Sequence, residues 1–487
     1  MLLLVACLLV DMPRHAQGVA PAFLVQPYLQ LGNHPQRANP DRLTLLWQAP
    51  VNTSSYLVEL RLRPQLAWVR LDAPQHRRMR IEGLPAAIEY RQELTGLEPG
   101  KTFEYRVLVD GAARFSATAR APRAAGEPTR FAITGDAAEG TAGQLAIARQ
   151  MYRAHPDLVF ICGDIVYPRG LGSNYLQYFF PVYNAEHTPL LRSIPFVAAP
   201  GNHDLGISSE ALDGLDRYPD AMAYFYDFAE PLNGSPAVAG SLRHAVVGGG
   251  GPHRAAFLQA AGNQFPRMVN FSFDYGAAHW TVLDSNYYED WNNRSLRDWV
   301  HHDLHNSHAR WKFVAFHHAP FHSSNAHQED QWMRRLCDIF ESEGVDVVWA
   351  GHVHNYQRSR PLRFKTSAPI LATPPPGPPD LTVGAVPPRE HVRLHGQVVP
   401  GQFDIDRNYD GKAHTHPRGI IYIVTGAGGA DLYDAPIEHQ PATWKPYTVR
   451  FIAHTHSFTQ VDLDAHHLTA TEIGEDGKAV DRWEITK

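Results

Sequence analysis

The stretch VDVVWAGHVHNYQR, Val345 to Arg358, passes from an apolar run into Gly351. Two histidines follow, His352 and His354, with one residue between them. A short apolar run closed by a turn residue reads as a strand buried on both faces, as in α/β sheets. Residues just past the end of such a strand stand where these sheets bind ligands. The pair carries little by itself. Histidine is abundant, 28 of 487 residues, and the same spacing recurs at His414/His416 and His454/His456. Those two pairs lack the apolar run and the glycine, and are expected to be surface or packing residues.

Four other apolar runs end in the same manner. FAIT ends in Gly135-Asp136, and LVFIC ends in Gly163-Asp164 with Tyr167 three residues on. FVAAP ends in Gly201-Asn202-His203-Asp204, and FVAF ends in His317-His318. Five buried strands thus deliver carboxylate, amide, phenol and imidazole groups to one sheet edge. A glycine before the ligand lets the backbone turn sharply and approach an ion. Taken singly, each feature has an ordinary reading: a Gly-Asp turn, an Asn helix cap, a hydrogen-bonded core histidine, a packing tyrosine. Taken together in one array they point to a metal site.

The surrounding chain supports that reading. From about Phe23 to Arg120 short alternating runs separated by turn residues predict an all-β domain. LTGLEPGKTFEYRV, with Leu97, Pro99 and Gly100 turning the chain and Tyr105 in the next strand, looks like a fibronectin type III corner. APRAAGEP, Ala121 to Pro128, reads as a linker. From Thr129 onward strands alternate with helical patterns such as TAGQLAIARQMYRAH and SLRDWVHHDLH, which predicts an α/β domain. Leu362 to Pro417 is Pro-rich and is expected to be an irregular insertion or flap. The last sixty or so residues read as hairpins closing a sheet.

Bulk composition narrows the chemistry. Hydrophobic content of 44% and charged content of 19% are ordinary for a soluble globular chain. A formal charge of −6 gives no basic field for nucleic acid. Three cysteines make neither a disulfide framework nor a thiolate site. The ligands must then be His, carboxylate, Asn or Tyr, which suits Fe, Zn or Mn. At the N-terminus, Leu2 to Val10 resembles the apolar core of a signal peptide, with Gly18-Val19-Ala20 as small residues for cleavage, although a basic leader is missing. Residues 1–20 are therefore expected to direct export, to a secreted or periplasmic location; the alternative is a buried N-terminal segment. No stretch reads as transmembrane.

Asp136, GDIVY, GNHD, VAFH and GHVH resemble the five ordered blocks of the calcineurin-like metallophosphoesterases. Tyr167 narrows the resemblance to the purple acid phosphatases, whose second block is GDxxY, and the β-domain ahead of the catalytic one resembles their larger members. The resemblance spans nearly the whole chain from about residue 23. It implies a fibronectin type III-like sandwich over 23–122 and a metallophosphoesterase αββα sandwich over 128–487, with the insertion at 362–417. It also implies a dinuclear centre: Asp136, Tyr167 and His354 on Fe(III), Asn202, His317 and His352 on a second divalent ion (Zn, Fe or Mn), and Asp164 bridging. The implied activity is hydrolysis of small phosphomonoesters by a metal-bound hydroxide at mildly acid pH. His203 would be the proton donor and His327 would contact the phosphate.

Two departures stand out. The first block reads GDAAEG, with Ala138 where the family has glycine and Glu139 nearby. The fourth reads FHHAPFHSS, so spacing from Val314 selects His317 as ligand whereas counting back from Pro320 selects His318; His322 is expected to be a loop residue. Alternatives are a phosphodiesterase or nucleotide hydrolase on the same scaffold, and a non-catalytic cell-surface binding protein. The last predicts erosion of ligands, and only the glycine at 138 is lost. The β-domain is expected to pack on the catalytic domain or to mediate contacts in a homodimer.

Overall fold

The computed structural model describes residues 21–64, 67–205, 214–235, 250–367 and 398–487. The apolar N-terminal run and the Pro-rich segment 368–397 lie outside the described residues. Among the described residues no helix is long and apolar enough to cross a membrane.

The first part of the chain forms two antiparallel four-stranded sheets. One takes the order Val25–Gln30, Arg42–Pro50, Ala87–Thr95, Gln75–Met79; the other runs Val69–Arg70, Tyr56–Leu62, Thr102–Val109, Ala112–Arg120. Alternating residues point inward, and Trp47, Tyr56, Tyr90, Tyr105 and Val107 form the shared core. Trp47 stacks on Tyr90 with centroids 5.1 Å apart. Gly100, at φ 67°, turns the chain ahead of the strand carrying Tyr105. The Tyr105 hydroxyl donates across to the carbonyl of Arg192 in the α/β domain, at 2.8 Å. Gln48 and Tyr28 likewise donate to the carboxylate and carbonyl of Asp227, both at 2.8 Å. The sandwich therefore packs on the α/β domain through directional contacts that are buried or partly buried.

The α/β domain is a two-sheet sandwich. In one sheet Phe196–Ala199, Leu158–Cys162 and Thr129–Thr134 run parallel, and the hairpins Ser457–Leu463, His467–Gly474 and Ala479–Thr486 extend it antiparallel. In the other, Ala278–Val282, Trp311–His318, Val347–Gly351 and Ile421–Thr425 run parallel, flanked by Phe271–Tyr275 on one side and by Tyr356–Ser359 and Thr448–Ile452 on the other. Large side chains from both inner faces interdigitate: Phe160 stacks on Trp280 at 4.8 Å, beside Phe131, Phe313, Trp349 and Trp483. Strands buried on both faces have to be continuously apolar, which is why FAIT, LVFIC, FVAA and VVWA carry no alternation.

Helices cover the outer faces. Ala142–Ala154 begins at Thr141, whose side chain accepts from the Gln144 N–H, and buries Ile147, Ala148 and Met151. Arg294–His305 buries Leu296, Val300 and Leu304, which recur at helical spacing. The stretch expected to be irregular from Leu362 is ordered at both ends. Leu362–Thr366 pairs antiparallel with Gly401–Ile405, so the insertion rises from a hairpin.

One buried polar cluster ties the second sheet to its helix. His279 is fully buried, with Nδ1 2.5 Å from Asp274 and Nε2 3.0 Å from Asp303, and Ser272, Thr281 and Arg37 also bond Asp303. Burial by itself lowers the imidazole pKa; the two carboxylates outweigh it and raise it above its ordinary value. The protonated ring then stabilises the fold below its unfolded pKa, and that contribution fades as pH rises through the raised native value. His279→Gln is expected to lower the melting temperature more at pH 6 than at pH 9. Equal deficits at the two pH values would contradict the assignment.

Candidate metal centre

The parallel strands of both sheets end on one edge of the sandwich, and the residues after them converge. Asp136, Asp164 and His352 all take left-handed backbone conformations, at φ 55°, 48° and 69°. Non-glycine residues avoid this region, and they hold it only where the surroundings fix them. Here the fixing contacts are backbone bonds between the loops. The N–H groups of Asp136, Ala137 and Ala138 donate to the carbonyls of Gly163, Asp164 and Ile165, and Tyr167 N–H donates back to Ala138. Ala138 thus runs alongside the GDIVY loop and needs no glycine. Glycine is required elsewhere: a Cβ on Gly163, at φ 80°, would lie 2.5 Å from His317 Nδ1, and one on Gly351 would lie 2.7 Å from Asp136 Oδ2.

Around Asp164 the donor atoms form two groups that share one oxygen. On one side the Tyr167 hydroxyl lies 2.7 Å from Asp136 Oδ1, 2.9 Å from His354 Nε2 and 3.1 Å from Asp164 Oδ2. On the other, His317 Nε2 lies 3.1 Å from the same Asp164 Oδ2, 3.1 Å from Asn202 Oδ1 and 3.2 Å from His352 Nδ1. All seven predicted ligand residues are therefore brought together. His317, and not His318, enters the cluster. His318 Nδ1 turns to the Ser285 hydroxyl at 2.9 Å, and its ring packs behind His352.

The three imidazoles share one arrangement. His317 Nδ1 meets the Cys162 carbonyl at 2.8 Å, His354 Nδ1 meets the Asp431 carbonyl at 2.8 Å, and His352 Nε2 meets the Asp330 carboxylate at 3.1 Å. Each ring donates its outer N–H to an oxygen and turns its other nitrogen inward, which is how metal-binding histidines are oriented. Burial opposes ionisation of both His317 and Asp164, yet their contact outweighs it. The imidazole is pushed up to about 9 and the carboxyl is held well below its usual range. Burial and the neighbouring Asp136 and Asp164 charges push the Tyr167 phenol well above its ordinary value, so the phenolate form needs a cation beside it. The donor set of two carboxylates, phenol, amide and three oriented imidazoles fits a pair of metal ions. Asp164, His317 and His352 present ligand atoms within 4.8 Å of one another, as do His327, Asp330 and His352.

The two residues expected to work on substrate stand at the rim. His203 Nδ1 bonds the Pro168 carbonyl at 2.6 Å, which leaves Nε2 facing Asp164 at 3.9 Å, and its ring lies against Tyr167. His327 stacks on His352 at 3.9 Å between centroids and bonds Asp330 through Nδ1 at 3.2 Å. His322 is buried and bonds the His327 carbonyl at 3.1 Å, so it supports the loop. Glu139 accepts from the Asp431 N–H at 3.1 Å. The His414/His416 and His454/His456 pairs lie outside the cluster, on the surface or partly buried.

Sequence reading missed three residues. Asp330 holds both His352 and His327, and its only signal was a carboxylate three positions after His327. Asp204 accepts from the N–H groups of Ile165 and Gly201, both at 2.8 Å, joining two ligand loops. It was visible within GNHD but undistinguished there. Tyr433 donates to the His352 carbonyl at 2.7 Å and lies against His354; nothing local marks it.

Residues 129–356 match the sequence profile of the calcineurin-like phosphoesterases. Acid phosphatase type 7 of Mus musculus is 22% identical over 422 residues, covering 80% of this chain and 75% of the relative. Purple acid phosphatase 18 of Arabidopsis thaliana is 32% identical over 120 residues, but the match covers only 23% of this chain and 26% of the relative. Among solved structures, purple acid phosphatase PPD1 from yellow lupin seeds shares the fold at a TM-score of 0.62 and 17% identity, covering 94% of this chain and 74% of that one. The chain is thus similar to the calcineurin-like phosphoesterases over residues 129–356 and has purple acid phosphatase homologues over most of its length.

Loss of the Asp330 carboxylate frees the His352 ring. Asp330→Ala is expected to weaken metal binding by about 10–100-fold, as removal of such a partner does, while the melting temperature of the metal-free protein changes little. Equilibrium dialysis against Zn2+ checks this; unchanged affinity would contradict it.

Proposed function

We propose that this protein hydrolyses phosphomonoesters at two metal ions held on the strand-end edge. The observation that carries the reading is the single Asp164 oxygen shared between the Tyr167 group and the His317 group. Asp136, Tyr167 and His354 would hold one ion and Asn202, His317 and His352 the other, with Asp164 between them. A phenolate is a hard anionic donor that suits Fe(III), and the imidazole and amide set suits Zn, Fe or Mn in the divalent state. When bound, the cations neutralise phosphate charge and furnish a water-derived nucleophile at mild pH.

The remaining work falls to residues of the chain. His203 has its Nδ1 proton committed to the Pro168 carbonyl, so Nε2 is the atom that carries a proton to the leaving alkoxide. His327, fixed by Asp330, offers its other nitrogen to a phosphate oxygen. Both rings are partly exposed, at 28% and 38%, where a substrate has to enter. The apolar N-terminal run supports export, and a phosphatase acting on extracellular esters is consistent with it.

A second reading, a diesterase or nucleotide hydrolase, draws support from the insertion. Its returning end docks beside Asp330: the Val399 N–H donates to Gln331 Oε1 at 3.2 Å, and Arg334 donates to the Val399 carbonyl at 3.3 Å. Val399, close to the C-terminal side of residues 368–397, is therefore held near the His327–Asp330 segment.

The ratio of kcat/KM for 4-nitrophenyl phosphate to that for its bis ester, on iron- and zinc-supplied protein, distinguishes the two. The phosphatase reading predicts strong monoester preference at acid pH, whereas diester preference would overturn it. His203→Ala is expected to lower kcat by about 10²–10⁴-fold, the usual span for a lost general acid, with metal content unchanged. Wild-type turnover in that variant would remove His203 from the role.

A further inference from the structure

The helix Arg294–His305 ends far from the metal centre. It precedes the strand Trp311–His318, whose far end supplies His317, and the six residue steps from Trp311 to His317 span about 20 Å along a strand. In its last two turns the helix carries His301 and His305, one turn apart on a single face. Both rings turn onto one carboxylate. His301 Nδ1 lies 2.9 Å from Glu343 Oε1, and His305 Nδ1 lies 3.1 Å from Glu343 Oε2.

The three residues differ in a way that suits a ligand set. The Glu343 side chain is only 9% exposed, and its backbone N–H closes the helix Cys337–Ser342 by donating to the Ile339 and Glu341 carbonyls. Lys312 fixes the same residue from the next strand by donating to the Glu343 carbonyl at 2.9 Å. The Glu343 backbone is therefore fixed, and its largely buried carboxylate sits at the base of the pair. The imidazoles above it are 46% and 65% exposed, so they can rotate without disturbing the core.

We propose that His301, His305 and Glu343 form a separate surface site for a divalent ion of borderline softness, Zn2+ foremost. Two imidazoles at i and i+4 plus one carboxylate make a three-ligand zinc set that leaves the fourth position to water. The cation would also lie at a helix C-terminus, where the unpaired carbonyls favour positive charge. As it stands, the carboxylate is shared between two imidazoles. A bound ion would replace these two partly exposed hydrogen bonds with three coordinate bonds. The three residues do not yet present ligand atoms all within 4.8 Å of one another, so an ion would have to draw the two exposed imidazoles in until their nitrogens lie about 2.0 Å from a common point. This site is independent of the phosphatase reading.

The test counts zinc. Full-length protein, its strand-end centre already loaded, is dialysed against micromolar free Zn2+ and compared with His301→Ala/His305→Ala and with Glu343→Gln. Alanine favours helix, so the double variant keeps the fold. Wild type is expected to bind one equivalent more than the double variant, and Glu343→Gln to hold that equivalent at least tenfold more weakly. Turnover of 4-nitrophenyl phosphate should be the same in all three. Equal zinc stoichiometry in wild type and the double variant would overturn the proposal, as would undiminished affinity in Glu343→Gln.

Discussion

The structure of the centre depends on keeping the Asp164 carboxylate buried and charged. Its Oδ2 meets Tyr167 and His317, and its Oδ1 accepts the His203 N–H at 2.8 Å. A charge shut away from water is costly unless it is paired and hydrogen-bonded. Every loop of the site can be read as part of that compensation. Gly163 places Asp164 at the strand end; Gly201 lets the next loop pass close enough for His203 N–H to reach it; Asp204 ties the two loops together. Burial, with the Asp164 charge added, pushes the Asp204 carboxyl up to about 7, so its place in the network also depends on pH.

The same logic accounts for the two-sheet architecture. One sheet supplies Asp136, Asp164, Tyr167 and Asn202; the other supplies His317, His352 and His354. The anionic donors come from one sheet and the imidazoles from the other. Their union at the sandwich edge brings opposite charges together only when the sheets pack in register. Phe160, Trp280 and Trp349 hold that packing, so the aromatic core and the centre are parts of one assembly. The β-sandwich is fastened by Gln48, Tyr28 and Tyr105 to Asp227 and Arg192 of the α/β domain.

Much of this was legible in the sequence because burial on both faces leaves a strong signal. An apolar run ending in a donor residue, in four cases with a glycine before it, is rare enough that five of them identify an edge. The β-domain was legible from alternation and turn residues. What stayed hidden was what the chain brings together from a distance. Asp330 orients His352 although 22 residues separate them, and Tyr433 reaches the His352 carbonyl from 81 residues away. Neither has a local pattern that distinguishes it from a surface carboxylate or a packing tyrosine. The choice between His317 and His318 turned on strand register, which two counting rules read differently. The hairpin at the base of the insertion was masked by prolines in the segment it supports.

The central claim is that two cations bridged by Asp164 carry phosphoester hydrolysis. The most direct test is turnover of 4-nitrophenyl phosphate by chelator-stripped protein as iron and zinc are restored, for wild type and Asp164→Asn. The account predicts that wild type regains activity with both metals and that the variant, folded and supplied alike, does not. A variant that recovers like wild type, or wild type that stays inactive with both metals bound, would contradict it.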